Sequence, residues 1–221
     1  MEAMKLEVKQ IAGWLLFTCL LLGLSRQVMA EQGPVEVLQT MTDTLVEIAR
    51  EDPAVVNDMA RLRDIANEVV LPRIDFIALS RWVLGKYWRT ATPQQRADFI
   101  VEFREMMLGS YLRSVSNYKE NGVRYLPLRG EQKSGRVIVH AEIEQPEGPI
   151  VHVIFRMRMV DSEWLIYDVA VEGISLVATH RATFSREIHN KGMDSLIAQL
   201  HAKNTSRAEE EKVAGLEAAR E

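Results

Sequence analysis

The chain has 221 residues, with 27 lysines and arginines against 31 aspartates and glutamates, a net charge of −4, and 47% apolar side chains. That length accommodates one sizeable domain with a real core, and its charges are interspersed, without the lysine-rich stripe that tracks phosphates or docks on anionic lipid, which argues against nucleic acid. The single cysteine, Cys19, excludes an intrachain disulfide and any cysteine cluster for metal.

Residues 11–24 form an apolar run, and Val28, Met29 and Ala30 offer small residues where a signal peptidase reads. Residues 1–30 therefore read as a secretory signal cleaved after Ala30. The competing reading, an uncleaved anchor, is weakened because the run is shorter than the ~20 residues a bilayer span needs. Cys19 lies inside the run and follows Phe17 and Thr18, so it lacks the small residue that precedes a lipidated cysteine.

From residue 35 to 70 the spacing is helical. Val35, Leu38, Met41, Leu45, Ile48 and Ala49 make one apolar face, and Leu62, Ile65, Ala66 and Val69 make another, with Asp52 and Pro53 between them. Pro72 stops the second helix, and residues 74–88 read as short helical turns rich in large apolar side chains. A long helix starts at Pro93: Thr92 is a good N-cap, and Gln95 stands where a capping box reaches back to the cap amide. Phe99, Phe103, Met106, Met107 and Tyr111 gather on one side of this helix, which can continue to about Tyr118. That side must meet something apolar.

After Asn121 and Gly122 the period changes to that of strands, predicted at residues 123–128, 136–144, 150–160 and 163–171. Short connections favour an antiparallel meander. Val137, Val139, Ala141 and Ile143 alternate with Ile138, His140, Glu142 and Glu144, while Val153, Phe155 and Met157 alternate with His152, Ile154, Arg156 and Arg158. One sheet face is expected to be apolar and the other wet. Only the helices before and after the sheet can cover the apolar face. The expected fold class is α+β, an antiparallel sheet of about four strands packed on one face by a helical layer. Helix returns from Leu176 to Ile188, and a short one follows Gly192. Residues 203–221 lose apolar content and read as a charged tail, either a solvated helix or disordered.

Neither a zinc-protease HExxH pattern, a glycine-rich phosphate loop nor a serine-hydrolase elbow occurs in the sequence. His140 and His152 fall on the polar sheet face as ordinary solvated groups, so neither a metal site nor a catalytic residue is assigned. Asp168 and Glu172 are conceivable as an acid and base pair, but tying the sheet end to the following helix explains them more simply. What stands out is a surplus of aromatic and methionine side chains around one sheet, which by itself describes a core.

Two segments go further: LGKYWRTATPQQRADFIVEFREMMLGSYLRSVSNY at 84–118 and WLIYDVAVEGISLVATHRATFSREIHNKGMDSLIAQL at 164–200. The Leu84-Gly85 and aromatic pair before the ATP-x-QR helix start, the D-V-x-x-E-G-I-S turn from Asp168, and the R-x-x-F-x-x-x-I-x-x-x-G-x-x-x-L-I-x-x-L ending from Arg181 resemble the MlaC or toluene-tolerance family of periplasmic phospholipid-binding proteins. The resemblance spans residues 35–200 in element order.

It implies a lipid-binding domain over residues 31–202 that holds phospholipid as cargo, without a cofactor, in an apolar cavity between helices and sheet. It also implies passage of lipid between an outer-membrane lipoprotein complex and an inner-membrane ABC transporter with an MCE-type subunit, in the periplasm and with no enzymatic step. On this reading the lipid-binding candidates are Val137, Val139, Ala141, Val153, Phe155 and Met157 from the sheet, with Trp82, Tyr87, Phe103, Tyr111, Val177 and Phe184 from the helices. Each serves as pocket wall or as closed core. Arg81, Lys86 and Arg89 are candidates for phosphate contact or partner docking, with plain solvation the simpler role. The alternatives are a small-ligand enzyme or an interaction module on a cone-shaped α+β fold.

Overall fold

Side chains that accept backbone amides set where the helices begin. The computed structural model describes residues 32–115, 122–128, 135–145 and 148–218, so the expected leader with Cys19 lies outside the described residues. Helix α1 (Pro34–Glu51) starts with Pro34 at its first position, and the Glu36 carboxylate accepts the Gly33 amide at 3.3 Å. Asp52 accepts the Ala54 amide and opens a 3-10 turn, and Asp58 accepts the Arg61 amide at the start of α2 (Met59–Ile65). Helix α2 widens into a π turn and tightens again where Pro72 ends it.

Asp75 then caps α3 (Phe76–Leu84), accepting the Ala78 amide at 2.8 Å. Gly85 ends α3 with a φ of +55°, and a single turn, α4 (Tyr87–Thr90), leads to the long helix. The capping box expected there is present: Gln95 Oε1 accepts the Thr92 amide at 3.0 Å, and Thr92 Oγ1 accepts the Gln95 amide at 3.1 Å. Helix α5 is Pro93–Val115; its expected continuation to Tyr118 lies outside the described residues.

The sheet is an antiparallel meander in the order β1-β2-β3-β4-β5: β1 (Val123–Tyr125), β2 (Arg136–Ile143), β3 (Val151–Val160), β4 (Glu163–Val171) and a two-residue β5 (Ile174–Ser175). The first strand is shorter than its sequence pattern, and β5 was not expected. Ser175 caps α6 (Leu176–Lys191), and Gly192 separates it from α7 (Met193–Ala218). The charged tail thus continues a helix. It is tied down by Glu211 pairing with Arg63 at 3.2 Å, and by Arg207, whose guanidinium lies 2.6 Å from where a Cβ on Gly109 would stand. Most of its described side chains are exposed, as a solvated helix requires.

Three clusters make the core. Val37 and Leu38 of α1 cover Val139, Met157, Trp164 and Ile166 of the sheet. Phe99, Phe103, Phe184, Leu196 and Leu200 fill the space among α3, α5, α6 and α7, and Leu62, Leu71, Leu108 and Leu112 join α2 to α5. The sheet's apolar face is therefore covered as its alternation requires.

Its other face is less wet than expected. Register shifts between Arg156 and Met157: Arg156 pairs with Asp168 and Met157 with Ile166, so Tyr167 is the extra residue of a β-bulge. Side chains beyond it change faces, and Asp168 arrives beside Arg156, where strict alternation would have put it with Ile166. Asp168 is 7% exposed; it accepts Arg156 Nη1 at 2.6 Å, Ser175 Oγ at 2.8 Å and the Val177 amide at 3.2 Å, tying β4 to the start of α6. Asp168→Ala should strand a guanidinium and two donors, and lower stability by about 3 kcal/mol in urea unfolding. A loss below about 1 kcal/mol would show that the tie carries no weight.

Candidate functional site, a cationic cavity beside an aromatic core

A cavity of about 570 Å³ lies between α3, α4 and α6 on one side and β2, β3 and β4 on the other. Its frame is held in three places. The Asp75 amide donates to the Ile166 carbonyl at 2.8 Å, and the Asp75 carboxylate also pairs with Arg158 on β3. Arg96 donates to the Trp88 carbonyl at 2.8 Å with its guanidinium over the Trp88 ring, which fixes α4 to α5. At Gly85 the backbone lies against Arg181, whose Nη2 is 2.8 Å from where a Cβ would stand.

Six cations line this cavity: Arg81, Lys86, Arg89, Arg136, Arg158 and Arg181. Arg158 is matched by Asp75, and Lys86 lies over the Tyr87 ring. Arg81, Arg89, Arg136 and Arg181 have no carboxylate partner among the described residues. Arg136 and Arg158 stand directly opposite each other in the β2–β3 register, and the Asp75 carboxylate on Arg158 offsets the like charges. The apolar wall is Ile77, Trp82, Trp88 and Tyr167, with Trp82 stacked on Tyr167 at 6.3 Å and 48% exposed. The bulge that displaces Asp168 is also what makes Tyr167 a cavity residue.

The twelve lipid-binding candidates are not brought into one place. Val137, Val139, Phe155 and Met157 belong to the cluster under α1, and Ala141 and Val153 are buried on the same sheet face. Phe103, Val177, Phe184 and the half-buried Tyr87 belong to the helical cluster. Trp82 alone lines the cavity, and Tyr111 is 38% exposed on α5. Arg81, Lys86 and Arg89 do converge on the cavity. Arg136, Arg158, Arg181, Trp88 and Tyr167 were missed as site residues, because only strand register, the bulge and the packing of α6 bring them to it.

Chemically, this arrangement suits an amphipathic anion: guanidinium forks for phosphate or carboxylate and aromatic faces for an apolar body. Asp168 is fully occupied as a structural acceptor, and Glu172 accepts the His152 amide across the sheet. Among the described residues no group of three histidine, cysteine, aspartate or glutamate side chains is arranged to hold a metal. His180 packs against both Phe103 and Phe184, and burial lowers its pKa.

Fold and site together define an α+β domain with a packed apolar core and a separate cation-lined cavity. The chain belongs to the MlaC protein family, whose profile matches residues 39–202. It is 23% identical to the intermembrane phospholipid transport system binding protein MlaC of Haemophilus influenzae, over 80% of this chain and 84% of that protein. It is 24% identical to the toluene tolerance protein ttg2D of Pseudomonas putida, over 75% and 78% of the two chains. A phospholipid-binding protein from Ralstonia solanacearum, solved in complex with a phospholipid, has the same fold, with a TM-score of 0.71, 22% identity, and coverage of 78% of this chain and 97% of that one.

Two tests address the site's framework. Gly85→Ala would force a side chain onto left-handed backbone and into Arg181, and should cost about 1–3 kcal/mol while displacing α4; an unchanged melting temperature would contradict this. His180 is harder to protonate in the fold than in the unfolded chain, whose imidazole has a pKa of 6.5. Its contribution is therefore complete above that pH and is lost as pH falls through the lower folded value. His180→Phe should flatten the fall in stability below pH 6.5 measured by urea midpoints, and an unaltered acid limb would show that His180 is not its source.

Proposed function

We propose that this chain is an exported phospholipid carrier of the periplasm. It takes glycerophospholipid from one membrane complex and delivers it to another, between an outer-membrane lipoprotein complex and an inner-membrane ABC transporter with an MCE-type subunit, and so maintains the lipid asymmetry of the outer membrane. The observation that carries the reading is membership in the MlaC family across residues 39–202, with a phospholipid transport relative aligned over 80% of the chain. Among the described residues no helix is long and apolar enough to cross a membrane.

The physics of the cargo explains why a carrier must enclose it. At roughly 0.8 kcal/mol per buried methylene, two acyl chains of about sixteen carbons represent on the order of 20–25 kcal/mol of transfer from water. Desorption into water is correspondingly slow. An apolar interior offers surroundings similar to the bilayer, so handover is set by docking and needs neither a nucleophile nor a metal. In this proposal the tails lie against the apolar sheet face, at Val137, Val139, Ala141, Val153, Phe155 and Met157, whereas Phe103, Val177 and Phe184 belong to a separate helical cluster.

Native mass spectrometry tests the proposal. The purified protein should carry a two-tailed phospholipid or acquire one from vesicles, and protein that stays lipid-free after such incubation would refute the carrier. Phe155→Gln, at a half-buried position on the apolar face, should reduce loading at least about tenfold without loss of the far-UV signal; undiminished loading would reject this placement of the tails.

A further inference from the structure

The cation-lined cavity lies on the polar side of the sheet, away from the apolar residues to which the tails are assigned, and is a separate feature of the molecule. Six positive side chains converge on about 570 Å³, yet the chain as a whole carries a net charge of −4. Asp75 answers Arg158, which leaves Arg81, Arg89, Arg136 and Arg181 with no carboxylate partner among the described residues. Elsewhere on the protein Arg63, Arg124, Arg156 and Lys191 each have an acid of their own. A face that was only solvated would intersperse its charges in that same way.

The rim of the cavity is apolar where most surfaces are not. Ile77 is 61% exposed, and Trp82, stacked on Tyr167, is 48% exposed. Large apolar side chains in water beside unpaired guanidinium groups have the composition of a protein-binding hot spot, where tryptophan, tyrosine and arginine predominate. Other occupants fit less well. A small-molecule pocket is mostly apolar with a few polar groups, whereas cations are six of the twelve residues lining this one. A flat membrane surface would reach only the rim of a concavity. A protruding stretch of chain reaches its floor.

We propose that this cavity docks an acidic segment of a partner protein, an extended stretch whose carboxylates meet Arg81, Arg89, Arg136 and Arg181 while one apolar side chain packs on Ile77 and Trp82. Guanidinium forks take carboxylates bidentately, which fixes the register of the segment as well as its charge. The four arginines stand on α3, α4, β2 and α6, and the Asp75 and Asp168 ties hold those layers together. The receptor is therefore formed in advance, and binding has to order only the segment. This docking site is independent of whether the apolar sheet face carries lipid.

The experiment titrates the purified protein into a fluorescein-labelled peptide of about twelve residues, in which glutamates and aspartates flank one phenylalanine, and reads the anisotropy. The control peptide has glutamine and asparagine in place of the acids. The acidic peptide should bind at least about tenfold more tightly than the control, and most of that margin should vanish as salt is raised to near molar. Arg81→Gln/Arg136→Gln, at two exposed positions, should weaken it about tenfold. Trp82→Ala should weaken it several-fold and leave the salt dependence unchanged. Arg186→Gln/Lys203→Gln removes the same charge from exposed positions outside the cavity, and should change the affinity less than about twofold. Equal affinity for the two peptides, or equal losses in the two double variants, would overturn the docking site. Complete displacement of the peptide by inorganic phosphate at matched ionic strength would make the cavity a small-anion site and would overturn it too. So would tighter binding to phosphatidylglycerol vesicles than to the peptide, which would make the cavity a membrane contact.

Discussion

Asp75 is where the helical layer and the sheet become one body. Its amide donates to the Ile166 carbonyl, one carboxylate oxygen caps α3 and the other meets Arg158 on β3, all at a residue only 6% exposed. A buried carboxylate is tolerable only when every lone pair has a donor, and here the donors come from the start of a helix and from a strand. Satisfying this one group fixes the origin and direction of α3 relative to β4. Asp168 does the same for α6, so two buried carboxylates hold the two helices that flank the cavity.

Between those two joints runs the β-bulge. One extra residue in β4 sends Asp168 to the polar face, where Arg156 and the start of α6 await it, and leaves Tyr167 beside Trp82. Without the bulge, Asp168 would sit on the apolar face among Met157 and Ile166 and would have no donor. The stability of the joint and the shape of the cavity therefore have one cause.

The rest of the interior answers to different demands. Helices α5 and α6 pack through edge-on phenylalanines and α7 adds Leu196 and Leu200, whereas the apolar sheet face is closed by α1 through Val37 and Leu38. Polar ties at Asp75 and Asp168 join these apolar clusters into one frame.

The sequence determined what depends on near neighbours in the chain. Thr92, Pro93 and Gln95 specify a helix start through contacts three residues apart, and alternation from Val137 to Ile143 specifies a strand with an apolar face. The motifs within residues 84–118 and 164–200 carry the family resemblance in the sequence itself. Arg136 and Arg158 become opposed only through a register, Tyr167 changes its role only through a bulge, and Arg181 reaches Gly85 only after α6 has folded back. Those residues are far apart in sequence, and no local preference encodes their meeting. Tertiary structure alone decided that six cations share one cavity, because long-range packing and two satisfied carboxylates, rather than spacing along the chain, bring them together.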